Sequence, residues 1–137
     1  MDTQEQKLQK LSLVIPCLNE EEVIVETIRK ARSTLDTMNL ESYEIIIIDD
    51  GSIDRSAELA LAEGARVIRH PHNAGYGKSI KDGIVQAKHD TIIISDSDGT
   101  YPLEEIPKLT KEYEKGFDMV VGARTGVHYR ESWSKEF

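Results

Sequence analysis

A single cysteine, Cys17, stands in 137 residues, which excludes a disulfide framework and any paired-cysteine metal knuckle. No stretch approaches the ~20 consecutive apolar residues needed to cross a bilayer. The opening MDTQEQKLQK lacks the apolar core of a signal peptide. Positive charge is also scarce: 17 lysines and arginines face 25 aspartates and glutamates, a net charge of −8, and no basic block is present. Nucleic acid is therefore not expected as a partner, nor is an anionic lipid surface as the main one. An anionic ligand would need a local device, a metal ion or a helix N-terminus, because the overall field repels it. There is no G-x-S-x-G elbow for a serine hydrolase. Cys17 has no base assigned to it and is expected to pack rather than react. These absences favour the cytoplasm, with any membrane anchor lying beyond Phe137.

What is present reads as one globular domain, with 39% hydrophobic and 31% charged residues and enough length for a real core. After a polar lead-in over residues 1–10, LSLVIP (Leu11 to Pro16) predicts a short strand closed by proline. Asn19 and Glu22 fit a capping box, and Ile24, Ile28, Ala31, Leu35 and Met38 form the stripe of an amphipathic helix. YEIIIID predicts a second strand, and GSIDRS turns into a helix ending near Gly64. ARVIRH is a third strand, PHNAGYG a loop, and Ile80, Ile84 and Ala87 mark the next helix. TIIIS is a fourth strand, YPLEEIP leads into a helix through Leu109 and Tyr113, and FDMVVGAR is a fifth strand. Strands apolar on both faces, alternating with helices, predict an α/β fold: a Rossmann-like, mostly parallel sheet with helices on both faces. After Arg124 the pattern fades, and Trp133 is expected to be packing.

Two strands end in acids. EIIIIDDGS closes on Asp49 and Asp50, and TIIISDSDGT on Asp96 and Asp98. Ligands of open parallel sheets bind beyond the carboxyl ends of the strands, so these four carboxylates are expected on one rim, where they need compensating positive charge. The plainer reading gives each pair a local job as Asp-Gly turn or helix cap, and for Asp49 that reading is preferred. Asp96-Ser97-Asp98 supplies two hard oxygen ligands suited to magnesium or manganese, and its glycine spacing excludes an EF-hand. HPHNAGYGKSI contains the end of a phosphate-binding loop, but His72 stands where a glycine is required. The dinucleotide fingerprint fails at Ile80. Gly75 and Gly77 then serve a turn, Lys78 is a solvated helix residue or reaches an anion, and His70 and His72 are expected at the surface.

LSLVIPCLNEEEVI, IIIIDDGSIDRS, NAGYGKSIKDGI and IIISDSDGTYP, followed by DMVVGAR, together resemble family 2 glycosyltransferases of GT-A fold. The similarity covers Leu11 to Thr125 and is greatest to the branch of dolichol-phosphate mannosyltransferase and bacterial polyprenyl-phosphate sugar transferases. It implies inverting transfer of a sugar from a nucleoside-diphosphate donor to a polyprenyl phosphate or a glycan. By motif, Pro16, Leu18 and Glu20 would line the nucleoside pocket, Asp50 would contact the base and Ile48 would wall it. Asp96 would face the ribose and diphosphate and, with Asp98, hold Mg2+ or Mn2+. Ser97 and Thr100 would lie along the donor, and Arg124 would meet phosphate charge.

The same resemblance implies a nucleotide-sugar-binding portion over residues 11–126. Residues 127–137 would begin an acceptor-side segment that is cut short, so catalytic acceptor-side residues are not assigned. A chain of this extent is expected to bind donor, turn it over poorly and expose an edge that favours a homo-oligomer. Its place would be the cytoplasm or the cytoplasmic face of the membrane, reached through the absent C-terminal part. Two other readings stay open: a nucleotide-binding or interaction module without catalysis, and a P-loop NTPase.

Overall fold

The isoleucine runs pair as neighbours. In the computed structural model, which describes residues 7–97 and 102–120, β1 (Lys10–Cys17) lies between β2 (Ser42–Asp49) and β4 (Ile92–Ile94). Strand β3 (Arg66–Arg69) flanks β2, giving the order β3-β2-β1-β4 with every pairing parallel. Helices α1 (Ile24–Asp36), α2 (Ser56–Ala62) and α3 (Tyr76–Gln86) make the crossovers, and a 3-10 turn at Leu103–Glu105 runs into α4 (Ile106–Tyr113).

Because side chains alternate along a strand, the sheet carries two apolar faces. Leu11, Leu13, Ile15 and Cys17, with Ile45 and Ile47, meet Ile24, Ile28, Ala31 and Leu35 of α1, Ala60 of α2, and Leu103 and Ile106. On the other face Val14, Ile46 and Ile48 pack with Ile68, Ala87 and Ile92, beneath α3, which packs on β1 and β2. Helices on both faces are what the unbroken apolar runs require.

Three local expectations are corrected. The α3 stripe does not face inward through Ile84, which is 45% exposed; the buried positions are Ser79 and Gly83. Those small residues let the helix approach so closely that a Cβ at position 83 would run into the Val14 side chain. Asn19 caps nothing: α1 starts at Ile24 without a side-chain cap, and Asn19 takes a left-handed φ of 53°. The first strand also runs through Pro16 to Cys17 rather than closing at the proline. Phe117 to Val120 are described without strand, and the rest of the fifth predicted strand, like Trp133, lies outside the described residues. Among the described residues no helix is long and apolar enough to cross a membrane.

Gly83→Ala gains helix propensity of about 1 kcal/mol, but overpacking against a β-branched core residue costs about 1–3 kcal/mol. We expect a net loss of stability in denaturant unfolding, relieved when Val14→Ala is added, so that a double-mutant cycle gives favourable coupling. Additive effects would contradict the close approach. Cys17 is 3% exposed, and burial pushes its thiol up to about 12. The native chain should therefore resist a thiol reagent at pH 8 and react once unfolded; rapid stoichiometric labelling of folded protein would refute this.

Candidate active site

The carboxyl ends of β1, β2 and β4 define the rim, and the strand order reverses between β1 and β4, the switch point where ligands of open α/β sheets bind. Even-numbered residues of β1 hydrogen-bond toward β4: Ser12 N–H donates to Thr91 O at 2.9 Å, and Val14 O accepts from Ser95 N–H at 3.0 Å. The next step of that ladder falls at Pro16, which has no N–H. Pairing with β4 ends at Val14 and Ile94, whereas pairing with β2 continues to Cys17 and Asp49. Proline thus ends the β1–β4 ladder at the rim. Ser95 Oγ, buried just there, has no hydrogen-bond partner among the described residues.

The loops after β1 and β2 are laced together. Asn19 N–H donates to Ser52 Oγ (2.9 Å), and Ile53 N–H donates back to Asn19 Oδ1 (2.9 Å). Glu20 N–H donates to Ser56 Oγ (2.7 Å), Glu21 N–H to Asp54 Oδ2 (3.2 Å), and Arg55 N–H to Glu21 Oε2 (3.0 Å). Asp54 Oδ1 also accepts from Ser56 N–H at 2.9 Å, so this aspartate, not Asp49 or Asp50, binds the first turn of α2. Burial would raise the Asp54 carboxyl, but the Ser56 hydroxyl and amide and the Glu21 amide hold it below its ordinary value. The lacing leaves Leu18 41% exposed at the rim and Glu20 half-buried beside it.

Asp49 and Asp50 point to opposite faces. Asp49 is fully buried on the α1 side, and its carboxylate oxygens accept no hydrogen bond among the described residues; Arg69 Nε, from the next strand, stands 3.4 Å from its Oδ2. Asp50, 7% exposed, accepts from Ala74 N–H (2.8 Å) and Gly75 N–H (3.1 Å), with His70 Nδ1 2.7 Å from Oδ1. Burial opposes its charge, but those donors bring its pKa below the ordinary value. Its carboxylate occupies the amides at the start of α3, where a P-loop would hold phosphate, which removes the NTPase reading. Among the described residues Oδ2 accepts only from Gly75 N–H, which leaves it a lone pair for a ligand. Ile48, fully buried beneath α3, underlies the rim from within the core.

His70 corrects the expectation of a surface residue: it is 9% exposed, with Nε2 2.7 Å from Asp82 Oδ2. Lys78 Nζ binds the other Asp82 oxygen at 2.8 Å. His72 is exposed as expected. The rule used for the aspartates, that strand ends carry function, applied to RVIRH would have singled out His70. Nothing in the spacing marks Asp82 as its second partner.

At the end of β4, Asp96 is half-buried and engaged in contacts. Ser97 is buried, and its carbonyl accepts from the Thr27 hydroxyl of α1 at 3.0 Å, which ties the chain just after β4 to that helix. Asp98, Thr100 and Arg124 lie outside the described residues. Among the described residues no cluster of three or more histidine, cysteine, aspartate or glutamate side chains could hold a metal ion. Asp96 brings one hard oxygen donor, the chemistry Mg2+ or Mn2+ takes in small numbers beside water and phosphate.

Residues 12–135 match the family described as Glycosyl transferase family 2. The chain is 42% identical over 117 residues to the undecaprenyl-phosphate 4-deoxy-4-formamido-L-arabinose transferase of Pseudomonas fluorescens (strain Pf0-1), covering 80% of this chain and 34% of that protein. It is 38% identical over 119 residues to the enzyme of that name from Edwardsiella ictaluri (strain 93-146), covering 82% and 36%. It therefore spans about a third of the length of these curated relatives. Among solved structures, glucosyl-3-phosphoglycerate synthase from Mycobacterium tuberculosis in complex with Mn2+, uridine diphosphate and phosphoglyceric acid superposes with a TM-score of 0.65 at 26% identity, over 79% of this chain and 40% of that one. The same enzyme with uridine diphosphate alone gives 0.64 at 28% identity, over 79% and 41%. With its parallel sheet, its acid-tipped strands and this match over nearly its whole length, the chain belongs to glycosyl transferase family 2 and has the GT-A fold.

Proposed function

We propose that this chain forms the donor-binding part of an inverting glycosyltransferase that takes a nucleoside-diphosphate sugar and passes the sugar to a polyprenyl phosphate. The observation that carries this reading is the shared rim. The Asp49-Asp50 and Asp96-Ser97 segments leave β2 and β4 at the same end, one on each side of β1, on the order of 10 Å apart at the usual strand spacing. Leu18 and Glu20 rise between them, and Pro16 ends the ladder there. In this reading the nucleoside lies against Pro16, Leu18 and Glu20, with the free lone pair of Asp50 toward the base and Ile48 supporting the floor.

Asp96 and Asp98 would hold Mg2+ or Mn2+, which would neutralise the diphosphate as its charge grows during cleavage of the anomeric bond. Ser97 and Thr100 would flank the donor, and Arg124 would supply a fixed positive charge to the departing phosphate. A polyprenyl phosphate acceptor, the class named for both curated relatives, is already an anion and attacks without a general base; a glycan hydroxyl would need one. Such an acceptor would bring the protein to a membrane surface, at its cytoplasmic face.

Calorimetric titration of uridine diphosphate, with and without Mn2+, tests the reading. We expect Mn2+ to tighten binding by about tenfold or more, equivalent to at least about 1.4 kcal/mol, and Asp98→Asn to lose that gain while circular dichroism stays unchanged. Binding indifferent to Mn2+, or an Asp98→Asn variant that keeps the full metal effect, would overturn the assignment.

A further inference from the structure

His70 lies between two carboxylates that come from different elements. Its Nδ1 is 2.7 Å from Asp50 Oδ1, at the end of β2, and its Nε2 is 2.7 Å from Asp82 Oδ2 on α3. A carboxylate offers only acceptors, and a neutral imidazole has a single N–H. Both short contacts are hydrogen bonds only when the ring is protonated on both nitrogens. Among the described residues the charged groups around the ring are Asp50 just past β2, Asp82 from α3, Lys78 bound to the far oxygen of Asp82, and the neighbouring Arg69 of β3, turned to Asp49.

The wall this ring braces faces the rim. Asp50 holds the amides of Ala74 and Gly75. Gly51, at φ 82°, lies so close to His72 and Asn73 that a Cβ there would meet their backbone atoms at 2.7–2.9 Å. The loop from His70 to Gly75 and the Asp50-Gly51 corner therefore form one packed unit, and the orientation of the Asp50 carboxylate is set from behind by His70.

We propose that the imidazolium of His70 is a positioning residue for donor binding: by bridging Asp50 and Asp82 it fixes the carboxylate and the 74–75 backbone that line the nucleoside side of the rim, and donor affinity depends on its charge. This rests on the donor-binding reading above. The two carboxylates, Asp50 first and then Asp82, raise the pKa of His70 above its ordinary 6.5 against the effect of burial. A raised pKa means the clamp is complete below pH 6.5 and is lost as pH rises through the folded-state value. Asp82, lowered first by Lys78 and then by His70, and Asp50, also lowered, stay ionised throughout that window and release the clamp only in acid. On loss of the proton one carboxylate faces a lone pair instead of a donor, and the corner loosens.

The test uses the 137-residue chain, with the histidine ring nitrogens followed by 15N NMR from pH 6 to 9 beside titration of uridine diphosphate in Mn2+. We expect both ring nitrogens of His70 protonated at pH 7, and affinity falling about tenfold in step with its titration, the size of one lost charge-assisted hydrogen bond. Asp82→Asn should move the NMR and affinity profiles together to lower pH, and His70→Gln should remove the pH dependence. If His70→Gln does not fold, Asp82→Asn decides alone, since a merely structural role would not displace the affinity profile. A neutral His70 at pH 7, or an affinity that stays flat through its titration, overturns the proposal. Should uridine diphosphate not bind at any pH, the donor reading fails by itself. The bracing is then decided by amide exchange: protection of Ala74 and Gly75, corrected for intrinsic rate, must fall as His70 deprotonates, and constant protection refutes it.

Discussion

Carboxylates toward the two ends of β2, Asp50 buried and Glu44 partly buried, hold the molecule's critical helix in place. Charge taken out of water must be met by donors, and β2 brings such an acid to each end of its run. Asp50 receives the amides that precede α3 and the ring of His70. Glu44 receives the Ser12 hydroxyl at 2.6 Å and the Lys88 amide, just past the other end of α3, at 2.5 Å. Burial would raise Glu44, but these two donors and Arg66 carry it below its ordinary value. The lengths match: from 44 to 50 a strand rises about 20 Å, and an eleven-residue helix such as α3 is about 16 Å long. Arg66 of β3 adds a donor to the last turn, binding Gln86 O at 2.6 Å.

Pinning at both ends explains why α3 can afford a weak apolar stripe. A helix held by Ser79 and Gly83 buries little side-chain area, so its own burial supplies only part of its stability. What the small residues give instead is proximity, which brings the 74–75 backbone within reach of Asp50. The packing of one glycine on Val14 thus bears on the geometry of the rim.

Much of the scaffold was legible because its signals are local. Isoleucine runs read as strands, helical steps of three and four as α1, and the placement of acids after such runs put Asp50 and Asp96 at one edge. The family likeness supplied the order of events along the chain. The illegible parts are all contacts between segments distant in sequence. Asn19 looked like a helix cap because capping is a local pattern; its partners, Ser52 and Ile53, are 33 and 34 residues away. Ile84 looked inward because periodicity weighs size, while the buried face of α3 was chosen by closeness. His70 looked exposed because a proline and another histidine follow it in sequence, and the acids that meet it arrive only when β3 lies beside β2 and α3 packs back over the sheet.

The same contacts revise the electrostatic argument about the rim. Four acids at one edge suggested that a cation must balance them all. Yet Asp49 faces Arg69, and Asp50 faces His70 and two amides, so the first pair is compensated by the protein itself. A divalent ion is then required by neither of them, and the demand for one falls on Asp96, Asp98 and the diphosphate they would meet. This divides the labour between the two strand ends. The β2 end is already paired, and in the proposed reading it would read a neutral base through a lone pair of Asp50. At the β4 end Ser97 is tied to Thr27 of α1, past the point where Pro16 has ended pairing with β1, and in the proposed reading an ion and a phosphate would meet Asp96 and Asp98 there. A chain whose net charge is −8 could admit an anionic donor on those terms, since the acids that would lie nearest a nucleoside in the proposed reading add little uncompensated field of their own.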